Sequence, residues 1–271
     1  MVLARFQEYE LASRLVLGQL GYEIVDLDDF CCCGASLLPG VTDNWINLSV
    51  YSLALAEQSG VDIVTLCGNC TNNFKRANLY FEKDQQIREK TRMVLGKLDL
   101  TYEGKVKVQH LIEVLFNRLD DIRKLVQRHL KLKVAVTYPC QVFRPKETTC
   151  TQDGIPEPEA FRQILKSLNI ETVDYPKEHE CCGATALLFN KGTGIHQGRV
   201  KLESAKAHGA DVICAACGNC LFLLDRYQNK ITKNNPDLRM PVVSLSQLVG
   251  ISLGYSKESL GLKTAGTFDL E

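Results

Sequence analysis

The chain has no charge of either sign to spare: 32 lysines and arginines are matched by 32 aspartates and glutamates. A nucleic-acid binder needs a basic excess and a solvating tail an acidic one, so neither class is indicated. No apolar run reaches the length of a bilayer-spanning helix. The opening residues, Met-Val-Leu-Ala-Arg-Phe-Gln-Glu, do not have the layout of a secretory signal. No P-loop, no G-x-G-x-x-G and no Ser-His-Asp set is visible, so nucleotide, flavin and acyl-transfer chemistry have no motif to rest on. The five histidines show no ligand spacing, and His110 and His129 fall on expected helices, where packing or solvent accounts for them. The expectation is a soluble, cytoplasmic chain that docks to partner proteins and not to nucleic acid.

Cysteine, by contrast, is abundant. There are 12 in 271 residues, with an ordinary apolar content of 45%. A chain of this length makes one large domain or two of roughly 135 residues, either of which folds without covalent staples. A disulfide scaffold therefore explains the cysteines poorly, and reduced thiols that hold a metal or do redox work explain them better.

The cysteines fall into a repeated pattern. Cys140 stands alone in Tyr-Pro-Cys, Cys181-Cys182-Gly183-Ala184 follows, and Cys217-Gly218-Asn219-Cys220 closes the set. The first half carries Cys32-Cys33-Gly34-Ala35 and Cys67-Gly68-Asn69-Cys70. Around them, Val16 to Asp26 matches Ile164 to Asp174, and Ala56 to Asp62 matches Ala205 to Asp211. The spacing is 149 residues, as between Cys32 and Cys181. The domain expectation is a first repeat over 1–131 and a second over 132–271.

Each repeat alternates helical and strand-like stretches. Residues 6–20 predict an amphipathic helix with Leu11, Leu15, Val16 and Leu20 on one face, closed by Gly21. A short strand is expected at 22–27. A helix capped by Asp43 or Asn44 should run to 59, then a strand at 61–66, then a charged helical region over 70–97. A strand at 106–108 and helices near 110–117 and 119–130 end the first repeat. In the second, strands are expected at 133–138, 170–173, 211–214 and 241–245. Helices should run from Pro156 and Pro158 to Leu168, over 194–208, after the second CxxC, and after a Ser246 cap. Such alternation predicts an α/β fold of two related repeats, each a parallel strand–helix unit. Ligands of such sheets sit at strand C-termini, where the cysteine motifs fall.

A lone CxxC is ambiguous between zinc, iron–sulfur and dithiol redox chemistry. The adjacent pair narrows the choice, because neighbouring side chains diverge and suit an object larger than one tetrahedral ion. Thiolate-only ligation favours iron–sulfur, with four-cysteine zinc still open. The second set offers five thiols, one more than a cubane cluster uses. Gly34, Gly68, Gly183 and Gly218 are candidate cofactor-binding positions, where backbone passes close to a cluster or takes positive φ, or else plain turn glycines. Cys214 reads as a buried apolar residue of a strand. Cys31 and Cys150 fall outside the pattern.

On these motifs, and on the ending Pro241-Val-Val-Ser-Leu-Ser-Gln-Leu-Val-Gly250, the chain resembles the CCG-domain family over nearly its whole length. Within the family it looks most like the B-type chains of the heterodisulfide reductases. The resemblance implies two non-cubane [4Fe–4S] clusters as metal centres. One falls on Cys140, Cys181, Cys182, Cys217 and Cys220, the other on Cys32, Cys33, Cys67 and Cys70. It implies an oxidoreductase that cleaves a disulfide, in methanogens that of coenzyme M and coenzyme B. It also implies a ferredoxin-like C-type chain and a flavin-carrying A-type chain of the reductase complex as partners, with no catalytic residue beyond the cluster ligands. The first repeat departs from the family in having no leading cysteine. Either the chain as given begins inside its first unit, lacking a strand that ends in Cys just before Met1, or Cys31 or another ligand substitutes. A CCG-class protein with another substrate (a quinone, a 2-hydroxy acid or a sulfur carrier) and a zinc-stabilised binding protein are the rival readings.

Overall fold

The computed structural model describes residues 6–35, 44–144, 148 and 159–262. Expectations placed on Met1–Arg5, Asp43, Cys150, Pro156 and Pro158 lie outside them. In chain order the helices are α1 (Gln7–Gln19), α2 (Asn44–Gln58), α3 (Gly68–Lys83), α4 (Gln85–Gly96), α5 (Leu111–Phe116), α6 (Leu119–Leu125), α7 (Glu159–Ser167), α8 (Ala186–Phe189), α9 (Lys191–Ala207), α10 (Gly218–Leu221), α11 (Gln228–Ile231) and α12 (Leu245–Ser252). The strands are β1 (Ile63–Thr65), β2 (Val108–His110), β3 (Lys133–Thr137), β4 (Glu171–Val173), β5 (Val212–Ala215) and β6 (Val242–Ser244). Among the described residues all ladders are parallel, as an α/β fold of strand–helix repeats requires.

Contacts divide the chain into two compact units. The larger comprises Met1–Ile24, Ile112–Cys140 and Pro156–Glu271, the smaller Val25–Leu111 and Gln141–Ile155. These packing units cut across the linear repeats 1–131 and 132–271, because Met1–Ile24 and the stretch from Ile112 join the larger unit and Gln141–Ile155 joins the smaller.

In the larger unit the sheet order is β4-β3-β5-β6. Every residue of β5 and four of five in β3 are buried, the near-continuous apolar strand that a sheet covered on both faces demands. Cys214 lies within β5, fully enclosed, and burial raises its thiol pKa well above the ordinary value. All eight residues of α12 are buried, Ser246, Gln247 and Ser252 among them. It is opened by a capping box in which the Ser244 hydroxyl accepts from the Gln247 amide and the Gln247 side chain accepts from the Ser244 amide. The cap is thus Ser244 and not Ser246, whose hydroxyl instead meets Ser13 of α1 at 3.0 Å. Against α12 α1 buries Tyr9, Ala12, Ser13, Val16 and Leu17. Leu11, expected on the inner face, is 42% exposed, because the face that packs runs through residues 9, 12, 13, 16, 17 and 20 and Leu11 lies off it.

The smaller unit has the pair β1-β2 and its own core around Trp45, Phe74, Phe81 and Tyr102. Phe81 and Tyr102 meet edge to face at 4.8 Å. The single charged helix expected over 70–97 is two helices. Asp84 ends α3 in extended conformation and its carboxylate accepts from the amides of Gln86 and Ile87, capping α4. The second strand falls at 108–110, two residues beyond the expected 106–108.

Residues 22–27 are not a strand. No strand among the described residues pairs with them, and Tyr22, Ile24 and Val25 are 37–50% exposed. Their repeat counterpart β4 is a strand because β3 lies beside it. Apolar β-formers make a strand only when a neighbour takes up their N–H and C=O groups.

Candidate metal centres

The order β4-β3-β5-β6 has a switch point between β3 and β5, since the chain leaves β3 to one side and returns to the other. Ligand-binding crevices open at such points, beyond the strand C-termini. Cys140 follows β3, and Cys217 follows β5 as the residue preceding α10. Cys181 and Cys182 occupy the loop between β4 and α8. The second cysteine set thus comes together at the switch point of the larger unit.

Its thiols form a hydrogen-bonded series, Cys140 to Cys181 to Cys182 to Cys220 to Cys217. Bonds from Cys140 and Cys182, helped by the Gly183 amide at 3.4 Å, hold the Cys181 thiol far below its ordinary range. Its hydrogen bond to Cys181 then raises Cys140, and Cys182 is pushed up to about 12 by the same anion. Cys220 is raised by bonds to Cys182 and Cys217. In such a run Cys181 is the thiol that ionises most readily, and the others can shed protons when a cation arrives.

The first set repeats this arrangement in the smaller unit. Cys32 to Cys33 to Cys70 to Cys67 is the series, and Cys33 is lowered to about 3 by hydrogen bonds from Cys32 and Cys70. The Cys33 carbonyl is fixed by the Ser49 hydroxyl at 2.8 Å and the Asn73 amide at 3.0 Å. Cys67 and Cys217 precede their helices with nearly the same backbone, φ/ψ −148/125 and −148/128. Cys31 does not join the series. Its sulfur faces the Ser52 hydroxyl at 3.4 Å and the Leu48 carbonyl at 3.7 Å, both on α2. No described cysteine is in a disulfide.

Two of the four glycines are conformational. Gly34 and Gly183 have φ +75 and +100, and a Cβ would stand 2.8 Å from Trp45 Cα and 2.7 Å from the Gly194 carbonyl respectively. They turn the backbone so that the amides of Gly34, Ala35, Gly183 and Ala184 point at the paired sulfurs. Gly68 and Gly218 open α3 and α10 without positive φ. At Gly68 the reason for glycine is close approach, with Gln141 Cβ 3.3 Å from where a side chain would start.

Among the described residues no group of three or more His, Cys, Asp or Glu is arranged to hold a single metal ion. The donors are soft thiols strung out in a row with amides aimed at them. That suits an iron–sulfur cluster, whose metals are spread over several ångströms, better than one tetrahedral zinc.

Beside the second set lie residues that motif reading misses. Lys201 of α9 is 1% exposed. Its ammonium donates to the carbonyls of Lys177 at 2.6 Å and Glu178 at 3.0 Å, just before Cys181, and stands 5.6 Å from the Tyr175 ring centre. Burial lowers its pKa, against the opposing pull of Cys220, Cys182 and Cys181. The Glu178 carboxylate is taken by Arg162, at 2.9 and 2.6 Å. The available signal was a lysine among Gly194, Gly198, Leu202 and Ala205, the small and apolar residues on the buried face of α9.

Comparison with known proteins agrees with this geometry. The family described as "Cysteine-rich domain" (CCG) matches residues 1–75 and 134–225. The B-type chain of a Methanosarcina acetivorans enzyme named ferredoxin/F(420)H(2)-dependent CoB-CoM heterodisulfide reductase is 30% identical, over 98% of this chain and 91% of its own. A Wolinella succinogenes protein named 8-methylmenaquinol:fumarate reductase membrane anchor subunit is 31% identical, over 90% of this chain and 86% of its own. Among solved structures, a hypothetical protein from Helicobacter pylori superposes with TM-score 0.73 at 18% identity, which speaks for the fold alone. The match covers 95% of this chain, which spans 48% of that one. Among the described residues no helix is long and apolar enough to cross a membrane.

Proposed function

This chain belongs to the CCG family of cysteine-rich domain proteins, and from that premise we propose that it is the iron–sulfur catalytic component of a heterodisulfide reductase, cleaving a disulfide of the coenzyme M–coenzyme B type. The observation that carries the reading is the pair of thiol series, each led by a Cys-Cys-Gly turn and closed by a Cys-Gly-Asn-Cys helix start. Cys140, Cys181, Cys182, Cys217 and Cys220 hold one non-cubane [4Fe–4S] cluster, and Cys32, Cys33, Cys67 and Cys70 hold the other. Such clusters supply electrons one at a time, while a disulfide takes two. The residues of this chain bind the clusters, aim amides at their sulfur ligands and keep water from Cys182, Cys217 and Cys220, which are buried.

Electrons come from protein partners, a ferredoxin-like one and a flavin-carrying one, because the sequence offers no nucleotide motif of its own. A cytoplasmic location goes with that supply. The name of the Wolinella relative favours a second reading, a CCG protein exchanging electrons with a quinol. The two separate in one assay. Anaerobically purified, iron-loaded complex with a reduced viologen should consume a heterodisulfide and release two thiols. Turnover with a menaquinol analogue, and none with any heterodisulfide, would transfer the assignment to the second reading.

A further inference from the structure

The two cysteine sets match in backbone and differ in charge. The 149-residue spacing that relates Cys32 to Cys181 also relates Ser52 to Lys201. In the first set Ser52 is neutral and its hydroxyl faces Cys31. In the second the same place holds a buried ammonium.

Lysine is almost never fully buried unless paired, because its charge loses hydration. Among the described residues Lys201 makes no salt bridge, and the nearby Glu178 carboxylate is already held by Arg162. Two carbonyls anchor it, and the groups that favour its charge are the sulfurs of Cys220, Cys182 and Cys181, of which Cys181 ionises most readily. A mere filler would be apolar at this position, and Ser52 shows that the repeat folds with a neutral side chain there.

We infer that Lys201 sets the reduction potential of the cluster held by the second set, raising it above the value a neutral residue at this place would give. The inference rests on the iron–sulfur reading above. Reducing a cluster adds one negative charge, and a fixed cation beside its ligands favours the reduced form. Because the cation is buried, salt screens it little. In this step one electron enters from the reductant, and no bond is made or broken. Lys201 is a positioning residue in this sense: it touches neither substrate nor reacting atoms.

The test is an EPR-monitored potentiometric titration of the full iron-loaded chain with dithionite and mediator dyes. The second-set signal is identified by its loss in Cys217→Ser. In Lys201→Met the reduced-to-oxidised ratio of that signal at fixed potential should fall about tenfold, a midpoint ~59 mV lower for one electron. Lys201→Arg should stay near the parent value, and the first-set signal should not move. Lys201→Gln, neutral but still carrying an N–H donor, repeats the neutral test if the methionine variant does not fold. An unmoved midpoint in a neutral variant that keeps its iron overturns the inference. Loss of iron from both neutral variants also overturns it, since Lys201 would then serve assembly. A parent chain without iron would instead sink the cluster reading beneath it.

Discussion

At Gly183 a positive φ coincides with a missing side chain's space, so the position tolerates no other residue well. Alanine there meets φ +100 and the Gly194 carbonyl 2.7 Å from its Cβ. Backbone strain of this kind costs ~1–3 kcal/mol, before the clash is counted. Gly60 has φ +68 but nothing within 4 Å, so Gly60→Ala should cost only ~1 kcal/mol. Urea unfolding of both variants checks the ordering, and equal losses would contradict it. The residue scale is also where the sequence was most legible. A Cys-Cys-Gly followed by a CxxC is a local signal, and both sets of thiols do converge. Lys201 was harder to read, because the small and apolar residues around it mark a buried face of α9 but not what that face packs against.

Among the elements, α12 shows how a short apolar segment is set in place. Ser244 is fully buried and its hydroxyl satisfies the Gln247 amide, so Ser244→Ala should cost ~1 kcal/mol, within the usual range of about 0.5–2 for a lost N-cap. Denaturation midpoints measure this, and an unchanged midpoint would contradict the placing of the cap at Ser244. The strand expected at 241–245 and the helix after it are right in kind and off by two residues at the cap, since Ser244 and Ser246 offer the same hydroxyl. The failures have physical causes too. Residues 22–27 carry strand formers, yet pairing is a property of two segments. Conversely, the continuous helical pattern over 70–97 hid Asp84, whose carboxylate ends one helix by starting the next.

On the scale of the whole molecule, the internal repeat was legible and its packing was not. The alternation of strands and helices predicted parallel sheets, which both units have. Where α1 docks depended on a long-range fit to α12 that the repeat does not encode. Leu17→Ala should therefore weaken the larger unit by ~2–4 kcal/mol, as a core leucine does. In urea, the buried Cys214 of β5 should become alkylated at lower concentration in this variant, while the fluorescence transition of Trp45, in the core of the smaller unit, shifts less. Equal shifts of the two probes would mean that α1 supports the two units alike.

What the two thiol series hold is measured directly by iron and acid-labile sulfide, counted per chain after anaerobic purification. The count is made in the parent protein and in Cys182→Ser and Cys217→Ser. Cluster ligation by these cysteines predicts a brown protein with ~4 iron and ~4 sulfide for each loaded set. It also predicts that both substitutions lower iron and visible absorption together. Full iron with an unchanged EPR spectrum in both variants, or stoichiometric zinc without sulfide in the parent, would contradict it.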